Sequence, residues 1–323
     1  MPSSTHQING AHASALALPL QNLSDAALAD ASLADDDEAL DPVPPLPANR
    51  PSTPSRKTQA QRQADLGDLV DEDQDKMVMH TKEGMFLFAG RAHDAKNQVS
   101  GIVGGRRAAA AARSIWMLSS NDNPYAEWGL ISTSAAMETA GRVIDEAVAA
   151  REEEIEACKR RGLSLSVQRS KHPAELEIGF RSPYGYAIAE LVLRFDYFVR
   201  LVKTLVRKDR MTEAQGRELI SGVRRSCRAA FEVAVRFERH LTKPELRLLS
   251  RSDFLPLADE EARKRINAAV QAYGEVPRDV FTGKVRPRHS RRRERLSEKE
   301  LRLLSELSLS ADPAAEQDTS ALL

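Results

Sequence analysis

The chain has 323 residues, a formal net charge of zero, 29% charged residues and only 5% aromatic ones. That length can bury a sizeable core, but the scarcity of aromatics and an opening rich in Ala, Ser, Pro and Asp point to one folded unit of about 200 residues. The neutral total hides a division: residues 1–75 carry 4 Lys and Arg against 13 Asp and Glu, and the rest carries 43 against 34, so the folded part is basic. No apolar run approaches the roughly 18–20 residues of a membrane span, and Ala13 to Leu20 lacks the basic flank of a signal peptide. Two isolated cysteines, Cys158 and Cys227, provide neither a disulfide framework nor zinc-ligand spacing. A reducing cytoplasm is the compartment these features predict, with no membrane partner.

In chain order, residues 1–75 read as a disordered acidic and Pro-rich tail, because Asp35 to Glu38, Pro42 to Pro54 and Asp71 to Asp75 alternate with small residues that bury little. Such a tail is either simply solvated or an acidic competitor of nucleic acid for the basic core. From Lys76 to Phe88 the alternation of Met77, Met79, Met85 and Leu87 with Val78, Phe86 and Phe88 predicts strand structure, with Lys82-Glu83-Gly84 as a turn or bulge. Ala89 to Gly105 reads as a Gly-rich loop. Arg106 to Leu118 is Ala-rich and helical, anchored by Ile115, Trp116 and Leu118. Asn123-Pro124 opens a long helix that Gly162 closes. Leu163 to Gln168 and Ala174 to Phe180 alternate apolar with polar residues and predict two strands joined as a hairpin through Ser170 to Pro173.

The strongest pattern follows. Ile188, Leu191, Val192, Phe195, Phe198, Val199, Val202 and Leu205 recur at three- and four-residue steps behind a Ser182-Pro183 start, which predicts a core helix over Ser182 to Val206. Thr212 and Gln215 have the spacing of a capping box, and Leu219, Val223, Cys227, Phe231, Ala234, Phe237 and Leu241 carry the stripe of a second helix over Met211 to Leu241. Lys208 to Arg210 allows only a tight connection, so the two helices are expected to pack antiparallel. A Leu-rich turn over Glu245 to Leu257 and an amphipathic helix from Asp259 with Ile266, Ala269, Val270 and Tyr273 come next. The expected fold is α+β, mainly α: a central antiparallel helical pair with a small sheet of short strands, flanked by disordered tails. The domain reading is a tail over 1–75, a core over 76–283, and a basic run with a disordered tail over 284–323.

Catalytic signatures are missing from the sequence: there is no G-x-S-x-G elbow, no H-E-x-x-H, and no metal-ligand spacing among the seven His residues. Gly101 to Arg107 lacks the Lys-Ser/Thr that ends a phosphate-binding P-loop. His289 and Arg292 have no tyrosine after them to act as a recombinase nucleophile. The chain therefore reads as no enzyme, with no cofactor and no metal. Basic features remain. Lys284, Arg286, Arg288, Arg291, Arg292, Arg293 and Arg295 form a run able to neutralise phosphates. The Arg-rich polar face of the second helix, including Arg224 and Arg228, adds to it, although Glu218, Glu232 and Glu238 interrupt that face.

Three motifs in order, Asn123-Pro-Tyr-Ala-Glu-Trp128, then Ser182-Pro-Tyr-Gly-Tyr186 with Phe195-Asp-Tyr-Phe-Val-Arg200, and Gly274-Glu-Val-Pro-Arg-Asp-Val280 with Gly283, resemble the AcaB-like proteins of integrating conjugative elements. The resemblance spans Met77 to Arg288. It implies a DNA-binding transcriptional regulator acting in control of transfer of a mobile genetic element by conjugation. It also likens the chain to ribbon-helix-helix proteins, in which paired strands enter the major groove. The ribbon would then be residues 76–88, with His80 and Lys82 as candidate readers. The chain departs from that pattern, because its Gly-rich loop is long and Met and Phe stand where polar readers are expected. A structural or adaptor protein of the same element, binding a protein partner through the central helices, is the alternative. A homo-oligomer and other conjugative-element proteins stay open as partners.

Overall fold

The computed structural model describes residues 73–93, 100–255 and 259–292, with residues 299, 302 and 303. Among them the order is β1 (Lys76–Met79), α1 (Lys82–Ala89), α2 (Gly105–Leu118), α3 (Pro124–Arg160), β2 (Ala174–Glu177), α4 (Pro183–Arg207), α5 (Glu213–Leu241), α6 (Pro244–Arg247), α7 (Glu260–Tyr273) and α8 (Arg278–Phe281). Short 3-10 turns follow α2 at Ser119–Asn121 and precede α7 at Arg251–Phe254. The fold is α+β and mainly helical, as the sequence predicts. Both expected tails lie largely outside the described residues.

The helical pair forms where the periodicity places it. Thr212 and Gln215 make the reciprocal capping box at the start of α5, and Asp209, at φ 55°, turns the connection between α4 and α5. Ser182 precedes Pro183 at the start of α4, but its hydroxyl caps nothing; it is buried, and its carbonyl accepts from the Gly185 amide at 3.1 Å. The stripe residues Phe195, Phe198, Val199, Val202, Cys227 and Ala234 are all fully buried. The long α3 is what holds the pair: it packs against both α4 and α5, and α2 lies against both as well. Trp128 of α3 meets the Phe237 ring of α5 edge-on at 5.4 Å, and Phe237 stacks on Tyr273 of α7 at 5.1 Å. This aromatic column joins three helices that are distant in sequence.

The strand region differs from expectation in two ways. First, the strand predicted over residues 76–88 ends at Met79, and Lys82–Ala89 is helical. Thr81 caps this helix by accepting from the Gly84 amide, and the buried set Gly84, Leu87 and Phe88 recurs at three and four residues. A glycine as the first member of that stripe makes the helical period look like alternation. Second, no hairpin joins the two predicted segments between 163 and 180. β2 pairs instead with β1, antiparallel, from Lys76 opposite Glu177 to Met79 opposite Ala174. The 163–168 segment bonds to α4: the Gln168 amide donates to Thr204 Oγ1 at 2.9 Å, and Arg200 Nε donates to the Gln168 carbonyl at 2.9 Å. Its backbone polar groups find side chains rather than a strand edge.

Candidate nucleic-acid interface

The basic run begins where α8 ends, and the structure binds its first part to the helical body as a strap. Tyr184, buried near the start of α4, donates its hydroxyl to the His289 carbonyl at 2.8 Å, and its ring meets the His289 ring edge-on. Burial pushes the Tyr184 hydroxyl pKa up to about 12, so it stays a donor at any physiological pH. Two residues on, the Arg291 amide donates to Ser119 Oγ at 2.9 Å. The Arg291 guanidinium lies over the Trp116 ring at 5.2 Å and donates to Met117 Sδ, a cation–π contact that fixes the side chain along α2.

Arg292 closes the strap on an ionic cluster built around the buried Arg251 and Glu127. Arg251, 0% exposed, bonds Asp122 Oδ1 at 2.5 Å, Glu127 Oε2 at 2.6 Å, the Phe281 carbonyl at 2.6 Å and the Val280 carbonyl at 2.8 Å. Arg292 Nε reaches the same Asp122 Oδ1 at 3.0 Å, with Nη1 3.9 Å from Glu127. Two guanidiniums thus face two carboxylates, and Glu127 stands in the first turn of α3, where the helix dipole favours a negative charge. Burial raises the Asp122 pKa, opposed by the fields of Arg251 and Arg292; burial likewise lowers that of Arg292.

The predicted contact residues therefore divide. Lys284, Arg286 and Arg288 are exposed, Lys284 against Asp279 at 3.4 Å in a solvated pair, and Arg286 with its Nε bonded to the Gly283 carbonyl at 2.8 Å. Arg291 is half-buried against α2, and Arg292 is committed to the cluster beneath. Arg293 and Arg295 lie outside the described residues. Arg224 and Arg228 are half-buried on α5; the pKa of Arg228 is lowered by burial and by the fields of Arg224 and Arg91.

At the predicted ribbon, His80 and Lys82 flank a buried tether. Asp196 of α4 accepts from the His80 amide at 3.2 Å, the Thr81 amide at 2.8 Å and the Thr81 hydroxyl at 2.6 Å. Lys82 is exposed and His80 half-buried. The outward face of the two strands pairs Lys76 with Glu177 and Val78 with Glu175, so two carboxylates stand where phosphates would pass. Sequence reading missed Asp122, Glu127 and Arg251. Glu127 in the first turn after Asn123-Pro124 was the available signal, but nothing local connects it to Arg251, 124 residues later.

These features define a mainly helical α+β protein that carries a basic strap stapled to its core. The family model described as Transcriptional regulator AcaB matches residues 65–293, and the chain belongs to the AcaB family of transcriptional regulators. A solved structure, selenomethionine-containing AcaB from uropathogenic E. coli, aligns over 72% of this chain and 96% of its own with 13% identity and a TM-score of 0.34. No curated protein matches the chain. Among the described residues no helix is long and apolar enough to cross a membrane.

Proposed function

We propose that this protein is a DNA-binding transcriptional regulator that controls transfer of an integrating conjugative element, acting without catalysis and in the cytoplasm. The observation that carries the reading is the strap: Lys284, Arg286 and Arg288 stand exposed on a segment held at its far end by Tyr184, Ser119 and the Asp122–Glu127 pair. Three cations fixed to a folded body lose less freedom on meeting phosphates than the same cations on an untethered chain. The core over 76–283 supplies the platform and the run from 284 supplies the contacts. Burial argues against an adaptor that uses the central pair, because the apolar stripes of α4 and α5 are consumed by α2 and α3.

The test is a mobility shift with the element's own upstream regions against random duplexes of equal length, repeated over a range of salt. Specific complexes are typically tighter than non-specific ones by about 10³-fold or more. Changing Lys284, Arg286 and Arg288 together to Gln should lower the log–log salt slope by about 0.9 for each phosphate that is no longer neutralised. Binding without any preference for the element's sequences, or an unchanged slope, would count against the assignment.

A further inference from the structure

Among the described residues, α2 is a basic helix that neither the motifs nor the strap accounts for. Its outward face carries Arg106, Ala110, Arg113 and Met117, all exposed, at steps of four, three and four residues that stack them on one side. The helix has 14 residues, three of them arginines, and no carboxylate at all. Arg107 is paired with Glu238 of α5 at 2.6 Å, whereas Arg106 and Arg113 have no ion pair among the described residues. Two of the arginines stand in the first turn, where the helix dipole disfavours positive charge. A helix stabilised by its own surface would carry acids there and i,i+4 partners further on; this one carries neither.

The face is also continuous with the strap. Arg291 lies over Trp116 and bonds Met117, so Arg106, Arg113 and Arg291 all stand along α2, and Arg291 belongs to the same strap as Arg286 and Arg288. We propose that the outward face of α2 lies along the sugar-phosphate backbone of duplex DNA, with Arg106 and Arg113 as phosphate contacts. Seven residues of helix set these two about 10 Å apart along the axis, and a single strand of a duplex presents one phosphate per roughly 3.4 Å of helix axis, so both guanidiniums can reach a phosphate of the same backbone. Ala110 between them leaves no bulk to hold the backbone away. Electrostatic contact of this kind orients the protein and reads no sequence. An acidic protein surface would meet the same charges, but continuity with the strap favours the occupant assigned to the strap, and in that respect the inference rests on the DNA-binding reading.

The experiment uses the full chain carrying Arg106→Gln and Arg113→Gln, titrated into random duplex and element duplex over a range of salt. The expected result is a fall of about 2 units in the log–log slope, equal weakening on both duplexes, and an unchanged or raised melting temperature. An unchanged slope here, with a reduced slope in the Lys284, Arg286 and Arg288 variant, overturns the α2 assignment and leaves the proposed function standing. Weaker discrimination at constant slope overturns the backbone assignment in favour of base reading. A wild-type chain that binds no duplex overturns both proposals.

Discussion

The Arg251 guanidinium lies 2.5 Å from the Asp122 carboxylate, joining a residue between α6 and α7 to the turn ahead of α3, and its side chain is shielded entirely from solvent. Arg251→Met leaves the buried Glu127 carboxylate, whose side chain is 2% exposed, with the 3.9 Å approach of Arg292 in place of a 2.6 Å bond, and takes a guanidinium donor from the Phe281 and Val280 carbonyls. Breaking such a pair from one side costs about 3–5 kcal/mol. Urea unfolding should show a loss of that order, and a change within about 0.5 kcal/mol, as for an ordinary surface site, would mean the cluster contributes nothing net.

Two glycines should respond in opposite directions. A Cβ at Gly84 would meet Asp196 Oδ1 at 2.6 Å, displacing the carboxylate that tethers His80 and Thr81, so Gly84→Ala should destabilise by about 1–3 kcal/mol. Gly222, inside α5, has nothing within 4 Å of such a Cβ, and Gly222→Ala should stabilise by about 0.5–1 kcal/mol. Thermal melts of the two variants side by side check both signs.

Phe195 and Phe231 lie at 0% and 1% exposure in the core of the helical pair. Truncation of either to Ala should cost about 3–5 kcal/mol, a large fraction of ordinary domain stability. Soluble variants with wild-type melting curves would contradict the placement of α4 and α5 at the centre.

His240, in the last turn of α5, has its pKa lowered by burial first and by Lys243 and Arg239 next. The unfolded chain therefore takes up the proton at a higher pH, near 6.5, than the folded chain does. Stability from this residue is complete above that value and is lost as the pH falls through it toward the lower folded pKa. Unfolding free energies measured between pH 8 and 5 should show this decline, and His240→Gln should remove part of it.

Cys227 is fully buried in α5, and burial pushes its thiol pKa up to about 12. Cys158 is buried near the end of α3. Neither should react with a thiol reagent at pH 8 in the native protein: burial blocks access to both, and at Cys227 the raised pKa also suppresses the reactive thiolate. Both should react on unfolding. Rapid native labelling at Cys227 would show that α5 opens from the core far more readily than its packing implies.

The helices could be read in one dimension because their determinants are local. The period of Ile188 to Leu205, the capping box at Thr212 and Gln215, and the Asn123-Pro124 start each act within about four residues, which is the reach of a helical hydrogen bond or side-chain row. The helical content of the fold followed from them, and the family from the resemblance of three short motifs. What the sequence could not decide was pairing across distance. Whether Ala174–Glu177 would turn back on its neighbour or pair with Lys76–Met79, as it does, is not decided by alternation, which is the same in either case. The fate of Arg291 and Arg292 has the same character. In the sequence they are two members of a basic run; in the structure the Trp116 ring holds Arg291, and Asp122 with the buried Glu127 holds Arg292, through partners that lie 165 or more residues away in the chain.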